Sequence, residues 1–322
     1  MKSLRLFFFA LLPAFVSICA HAADSYPAKP IRMVVPLAAG GPADAVARVV
    51  ASDLSKTLGQ PVVIENRPGA GGTTGVTSVA RADADGYSLL VVGPGPIVIS
   101  PYIAETRYDP LKNLIPITQI VDSPVAIVAS PKFRPDTFAD LINYAKANPG
   151  KVTFGSPGAG TSNHLMAELI KKNAGIDMVH VPYRGGAPAV MGLLSGDVDI
   201  IVVDVSVVLA QIKAGEAKVI GLLDANRGAA YPGYPVVAES GYPGIVASNW
   251  YGLFVTGGTP TPIVARLQAG AQEALRSEAV RKQLADLGLP VAGTSSERFG
   301  QFLRDEVSRW GSLAKEAGVK LQ

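Results

Sequence analysis

The sequence predicts an α/β protein of two lobes, each a mainly parallel sheet flanked by helices, with a cleft between the lobes. Three observations carry this. Short β-branched runs alternate with segments of helical periodicity along the whole chain. About 300 residues remain after an N-terminal leader, more than one ordinary core accommodates. An extended segment, residues 114–129, is broken at Asp122-Ser123-Pro124, as expected for a strand that leaves one sheet and enters another.

The leader fixes the compartment. Lys2 and Arg5 precede an apolar run from Leu6 to Ile18, and Ala20-His21-Ala22 supplies small residues at −3 and −1. This is a cleaved secretory signal over residues 1–22, cut after Ala22, and too short to be a membrane span. The expected location is the periplasm. Ile18 before Cys19 argues against lipidation, and Cys19 leaves with the leader, so the remaining chain has no cysteine. Lys2 and Arg5 leave too, and 27 basic residues then face 26 acidic ones. That balance argues against nucleic acid as a partner, which requires a concentrated basic face. His164 and His180 alone remain of the histidines, without metal-ligand spacing, so no metal and no cofactor are expected.

The elements follow in order. Residues 31–35 form a buried parallel strand. Val46, Val50 and Leu54 then mark a helix closed by Gly59. Residues 62–64 and 89–92 are further strands. Past the break at 122–124, residues 152–155 form a strand, and Leu165, Leu169 and Ile170 lie on one face of the helix that follows. Residues 198–203 and 219–223 are strands, and 263–277, 280–287 and 299–317 are helices. The return to the first lobe is placed in the Pro- and Gly-rich stretch 226–244. The first lobe therefore comprises residues 23–122 and 226–322, the second residues 123–225. Alternating strands and helices imply sheets covered on both faces.

The chemistry lies in three glycine loops, at 36–42, 68–73 and 155–161, each entering a helix. Pro42 suits a first helical position, and Thr161 or Ser162 an N-cap. A helix start leaves N–H groups unpaired and carries about half a positive charge. Glycine lets an anion approach those groups, so each loop is a candidate carboxylate site that contains no Lys or Arg. Other chemistries fit less well. Ala70-x-Gly72-x-x-Gly75 lacks the first glycine of a dinucleotide fingerprint, Gly158-x-Gly160-x-x-Asn163 lacks the third, and no GxxxxGK[ST] exists. A secreted α/β hydrolase acting on a small carboxylic ester or amide is the alternative from another class. It would draw on Ser162, His164 and nearby acids, but no G-x-S-x-G elbow exists. Residues two apart on a helix also point about 200° from each other. An enzyme is therefore not expected.

Residues 25–32 (SYPAKPIR), Ala39-Gly40-Gly41-Pro42-Ala43-Asp44, residues 65–72 (ENRPGAGG), Asp85-Gly86-Tyr87, residues 145–150 (AKANPG), residues 180–186 (HVPYRGG), Trp250-Tyr251-Gly252-Leu253 and Gly258-Thr259-Pro260 together resemble the Bug-type (TctC-like) substrate-binding proteins of tripartite tricarboxylate transporters. The resemblance spans nearly the whole mature chain. It implies a type II periplasmic-binding-protein fold, a monomer, no cofactor, transporter membrane subunits as partners, and a dicarboxylate, tricarboxylate or aromatic acid as ligand. By motif match it implies Ala38, Gly40, Gly41 and Asp44 from the first loop, and Ala70, Gly72 and Thr73 from the second. The third would give Ser156, Gly160, Thr161 and Ser162, with His164 just behind, and Asp204 would line the pocket. Residues 93–98 (GPGPIV) depart from the family's more polar stretch and make an acidic amino acid a poorer candidate. Val255-Thr256-Gly257 departs at a surface turn.

Overall fold

The computed structural model describes residues 26–224 and 231–317. The secretory signal, its cleavage after Ala22, and part of the return segment lie outside the described residues.

Among the described residues, ten strands form two five-stranded sheets. The first lobe holds β1 (Ile31–Val35), β2 (Val62–Asn66), β3 (Ser88–Val92), β4 (Leu114–Ser123) and β10 (Asn249–Thr256), in the order β2-β1-β3-β10-β4. The second holds β5 (Val125–Ala129), β6 (Val152–Ser156), β7 (Met178–Pro182), β8 (Ile200–Asp204) and β9 (Lys218–Leu222), in the order β7-β6-β8-β5-β9. In each sheet one strand runs against the rest, β10 in the first and β5 in the second. Each of these is the first strand after the chain has crossed between sheets. The outward crossing takes a single residue, Pro124, between Ser123 and Val125, where proline supplies no ladder N–H. The sheets are thus mixed, with four of five strands parallel in each.

Eleven α-helices among the described residues cover the sheets: α1 (Pro42–Leu58), α2 (Thr73–Ala80), α3 (Ser100–Ile103), α4 (Pro110–Asn113), α5 (Phe138–Ala147), α6 (Ser162–Ala174), α7 (Gly186–Ser195), α8 (Val205–Lys213), α9 (Thr261–Arg276), α10 (Glu278–Asp286) and α11 (Ser296–Ala317). The apolar stripe expected on α1 is buried at Val46, Val50 and Leu54, and Gly59 ends the helix at φ 72°. That left-handed turn favours glycine. α11 packs against β4 and reaches α6 of the other lobe. No described helix is long and apolar enough to cross a membrane.

Strands β1, β3, β6 and β8 end at buried backbone and release loops that turn directly into helices or helical turns. In open sheets of this kind ligands bind outside the carboxyl ends of the strands. Because β4 and β10 stand next to each other in one sheet while their continuations enter or leave the other, these loop clusters open onto one cleft.

Candidate functional site

The cleft has a volume of about 360 Å³. The first lobe contributes Leu37 to Pro42, Gly71, Gly93 to Pro96 and Ser100. The second contributes Pro157, Ala159 to Asn163, Arg184 to Pro188, Asp204 and Val207, while Asn249 and Tyr251 come from the start of β10. Of the residues implied by motif, Ala38, Gly40, Gly41, Gly160, Thr161, Ser162 and Asp204 meet here. Asp44, Ala70, Gly72, Thr73, Ser156 and His164 do not line the cleft. A more open hollow, lined by Arg276, Glu278, Arg281 and Lys282 among others, shares no residue with it.

The residues behind the cleft build its walls. Asp44 is buried, and its Oδ2 accepts from the Gly40 N–H at 2.9 Å and from Arg48 Nε at 2.9 Å, while Oδ1 accepts from Asn66 at 3.0 Å. Burial pushes its pKa up, but the hydrogen bonds from Arg48, Gly40 and Asn66 and the Arg48 charge outweigh it, so the carboxyl lies below its ordinary value. His164 does the same for the third loop, its Nδ1 accepting from the Gly160 N–H at 3.1 Å. Its ring stacks on His180, centroids 3.9 Å apart, and His180 stacks in turn on Phe154. His180 Nε2 bonds Ser156 Oγ at 2.7 Å. Burial, then the neighbouring His164 and Lys171, lower His180 to about 4. Burial is also the main cause that lowers His164. In the second loop Gly72 is buried, and a Cβ there would stand 2.6 Å from Pro96 Cγ, which is why a glycine at φ 97° is needed.

The Gly40, Gly160 and Gly185 amides are therefore already held by the protein, the last by the Pro157 carbonyl at 3.0 Å. At the starts of α1, α6 and α7, the N–H groups of the cleft-lining Gly41, Ser162, Asn163, Gly186 and Ala187 have no hydrogen-bond acceptor among the described residues. Thr161 caps α6 by accepting from the His164 N–H at 3.3 Å. Ser162 Oγ has no hydrogen-bond partner among the described residues, so no base addresses it, and His164 turns its Nδ1 to Gly160 instead. That arrangement offers a hydrolase no activated nucleophile.

Asp204 is 4% exposed, and its carboxylate accepts four hydrogen bonds. Ser123 Oγ (2.7 Å) and the Tyr251 hydroxyl (3.0 Å) donate to Oδ2, and Asn249 Nδ2 (2.6 Å) and Asn163 Nδ2 (3.1 Å) donate to Oδ1. Ser123 ends the outgoing strand and Asn249 starts the returning one, so both crossings meet at this group. Burial, then the Asp204 charge and hydrogen bond, raise the Tyr251 hydroxyl well above its ordinary pKa and keep it a donor.

Gly93 to Pro96, expected near the cleft by family resemblance, line it, whereas sequence reasoning missed the Arg184–Pro188 loop. That loop carried the signal used for the others, a glycine loop between a strand and a helical segment. Asn249 and Tyr251 carried none, because only the sheet order brings β10 beneath the cleft.

A cleft between two such lobes, walled by helix starts, defines a solute-binding protein. The chain belongs to the tripartite tricarboxylate transporter receptor family (TctC), whose model matches residues 46–319. Members are periplasmic binding proteins, and the chain is a binding protein and not an enzyme. It is 38% identical to protein BugT of Bordetella pertussis over 303 residues, 93% of each chain. The structure of Rpa4515 from R. palustris with adipate is similar at TM-score 0.85 and 31% identity, covering 92% of this chain and 99% of that one. MatC from Rhodopseudomonas palustris with bound malate is similar at TM-score 0.82 and 32% identity, covering 90% and 100%.

Proposed function

We propose that this chain captures a small carboxylate in the cleft, holding the anion through backbone N–H groups at helix starts, and delivers it to the membrane subunits of a tripartite transporter. The observation that carries this reading is the set of five N–H groups without acceptors at the starts of α1, α6 and α7, all in cleft-lining residues. Each start adds positive potential, and a charge-assisted hydrogen bond contributes about 1.5–3 kcal/mol. The adipate and malate in the related structures support a carboxylate as the ligand class. The lobes, residues 23–122 with 226–322 and residues 123–225, would close over the ligand about the Pro124 crossing and its return. Arg184 lines the cleft as an exposed cation, and in this reading it steers the anion without supplying most of its binding energy.

A carboxylate panel screened by thermal shift should yield ligands that raise the melting temperature by mass action. Ser162 then separates amide from side chain. It is the first residue of α6, and Thr161 before it has φ −71° and ψ 160°, which a following proline accepts. Ser162→Ala removes only the hydroxyl, whereas Ser162→Pro also removes the N–H. Ser162→Pro should weaken binding roughly 10-fold or more beyond Ser162→Ala, and Arg184→Ala should cost less than about 10-fold. Equal affinities for the two Ser162 variants, with binding abolished in Arg184→Ala, would show that a cation and not the backbone holds the ligand.

A further inference from the structure

We infer that Asp204 is a resident anion that restricts the cleft to ligands with a single carboxylate, whose far end is uncharged and offers a hydrogen-bond donor. This rests on the carboxylate reading above and narrows it.

A fourth helix starts at the cleft beside those of α1, α6 and α7. α8 begins at Val205, and Asp204 is its N-cap residue, with no hydrogen bond from its side chain to that helix start. The Val205 N–H at this start is already given to the Pro124 carbonyl at 2.9 Å, so a second ligand carboxylate would find no such donor there and would meet the protein's own carboxylate beside it. Among the described residues Asp204 has no cationic partner: its four donors, Ser123, Asn163, Asn249 and Tyr251, are all neutral. They fill its acceptor positions, so the group acts on a ligand through its charge. Only Arg184 and Asp204 carry formal charge among the residues lining the cleft, and Arg184 is exposed whereas Asp204 is buried. The cleft is therefore polarised, with its positive groups at the helix starts and Arg184 and its negative charge at the buried end.

The other polar atoms near Asp204 reinforce this. Asn249 is 2% exposed and its Oδ1 has no hydrogen-bond partner among the described residues. The Tyr251 hydroxyl gives its proton to Asp204 and keeps its lone pairs. Both remain acceptors, and acceptors beside a buried carboxylate call for a donor such as a hydroxyl or an amide N–H. Pro42, Pro94, Pro96, Pro157 and Pro188 also line the cleft and suit an apolar stretch of the ligand.

The test compares acids of matched length by calorimetry: 4-hydroxybutyrate against succinate, and 6-hydroxyhexanoate against adipate. The wild-type protein should bind the hydroxy monoacid at least ~10-fold more tightly in at least one pair. Asp204→Asn should shift that preference toward the dicarboxylate by at least ~10-fold. A wild-type protein that binds the dicarboxylates more tightly overturns the inference and leaves the carboxylate reading standing. So does an Asp204→Asn variant, shown to be folded, whose preference matches the wild type. Should that variant not fold, the wild-type preference decides alone. If no acid of either class binds wild type, the carboxylate reading itself falls and takes this inference with it.

Discussion

In the first lobe the N–H of Gly40 is held by Asp44, four residues on; in the second the N–H of Gly160 is held by His164, again four residues on. The parallel extends to the sheets, which share one strand order and one inserted antiparallel strand each. The chemistry turned toward the cleft does not match. Ser100 is the one polar side chain that the first lobe's own loops bring, and the rest is glycine, alanine, leucine and proline. The second lobe brings Thr161, Ser162, Asn163, Arg184 and Asp204. One plan therefore yields two kinds of wall: a generic backbone surface, and a surface whose side chains can discriminate.

The two braces should differ in strength, and this is the largest effect expected. Asp44 is a buried carboxylate serving three donors, whereas His164 is partly exposed and serves one. Asp44→Ala leaves the Gly40 N–H without an acceptor and the Asn66 amide with the Leu37 carbonyl alone, and should cost about 2–3 kcal/mol in urea unfolding. His164→Ala should cost about 1–2 kcal/mol. A larger loss for His164→Ala would break the comparison, since it would place the main structural brace in the second lobe.

The plan was legible in the sequence and the division of labour was not. Val46, Val50 and Leu54 announced α1, and Asp122-Ser123-Pro124 announced the crossing, because periodicity and a proline break are local signals. The glycine loops were also visible, but a loop's composition does not say which way its amides turn. Gly40 and Gly160 face Asp44 and His164, so the free N–H groups belong to the next residues along. Asn249, at the start of an apolar strand, reaches the cleft only because β10 lies between β3 and β4. Asp204 could be placed beside the pocket by resemblance, but its four neutral donors come from Ser123, Asn163, Asn249 and Tyr251, far apart along the chain.

Packing around glycine also differs between a helix behind the first lobe's wall and a helix start in the second, and two replacements read that difference. A Cβ on Gly75 in α2 would lie 2.6 Å from Pro36 Cβ, 2.7 Å from Pro36 Cα and 2.8 Å from the Arg67 carbonyl oxygen. Backbone must move to admit it, so Gly75→Ala should cost about 2 kcal/mol. At Gly186, which opens α7 in the second lobe, the nearest atom would be a Val207 methyl at 2.8 Å, which can rotate away. Gly186→Ala should cost under about 1 kcal/mol, part of it offset by the helix propensity of alanine. Chemical denaturation of both variants checks the order, and equal costs would remove packing as the reason for the difference.

Acid should separate the lobes by a smaller margin. His164 and His180 stack face to face, with Glu168 Oε1 3.8 Å from His164 Nε2 and Lys171 bonded to the same Glu168 oxygen at 3.1 Å. Burial lowers both histidines, and His180 lies at about 4 against an ordinary 6.5. The unfolded chain therefore takes up these protons first. Stability from the pair is complete above pH 6.5 and is lost as pH falls from there toward about 4. After discounting for partial exposure, the loss should be on the order of 1 kcal/mol. The first lobe's Asp44 is also depressed, from an ordinary 3.8, so its contribution is retained throughout that window and declines only below it. Unfolding free energy measured from pH 7.5 to 4.5 should thus fall with a histidine slope, and His180→Gln should remove most of it. An unchanged slope in that variant would assign the acid sensitivity to carboxylates and dissolve this difference between the lobes.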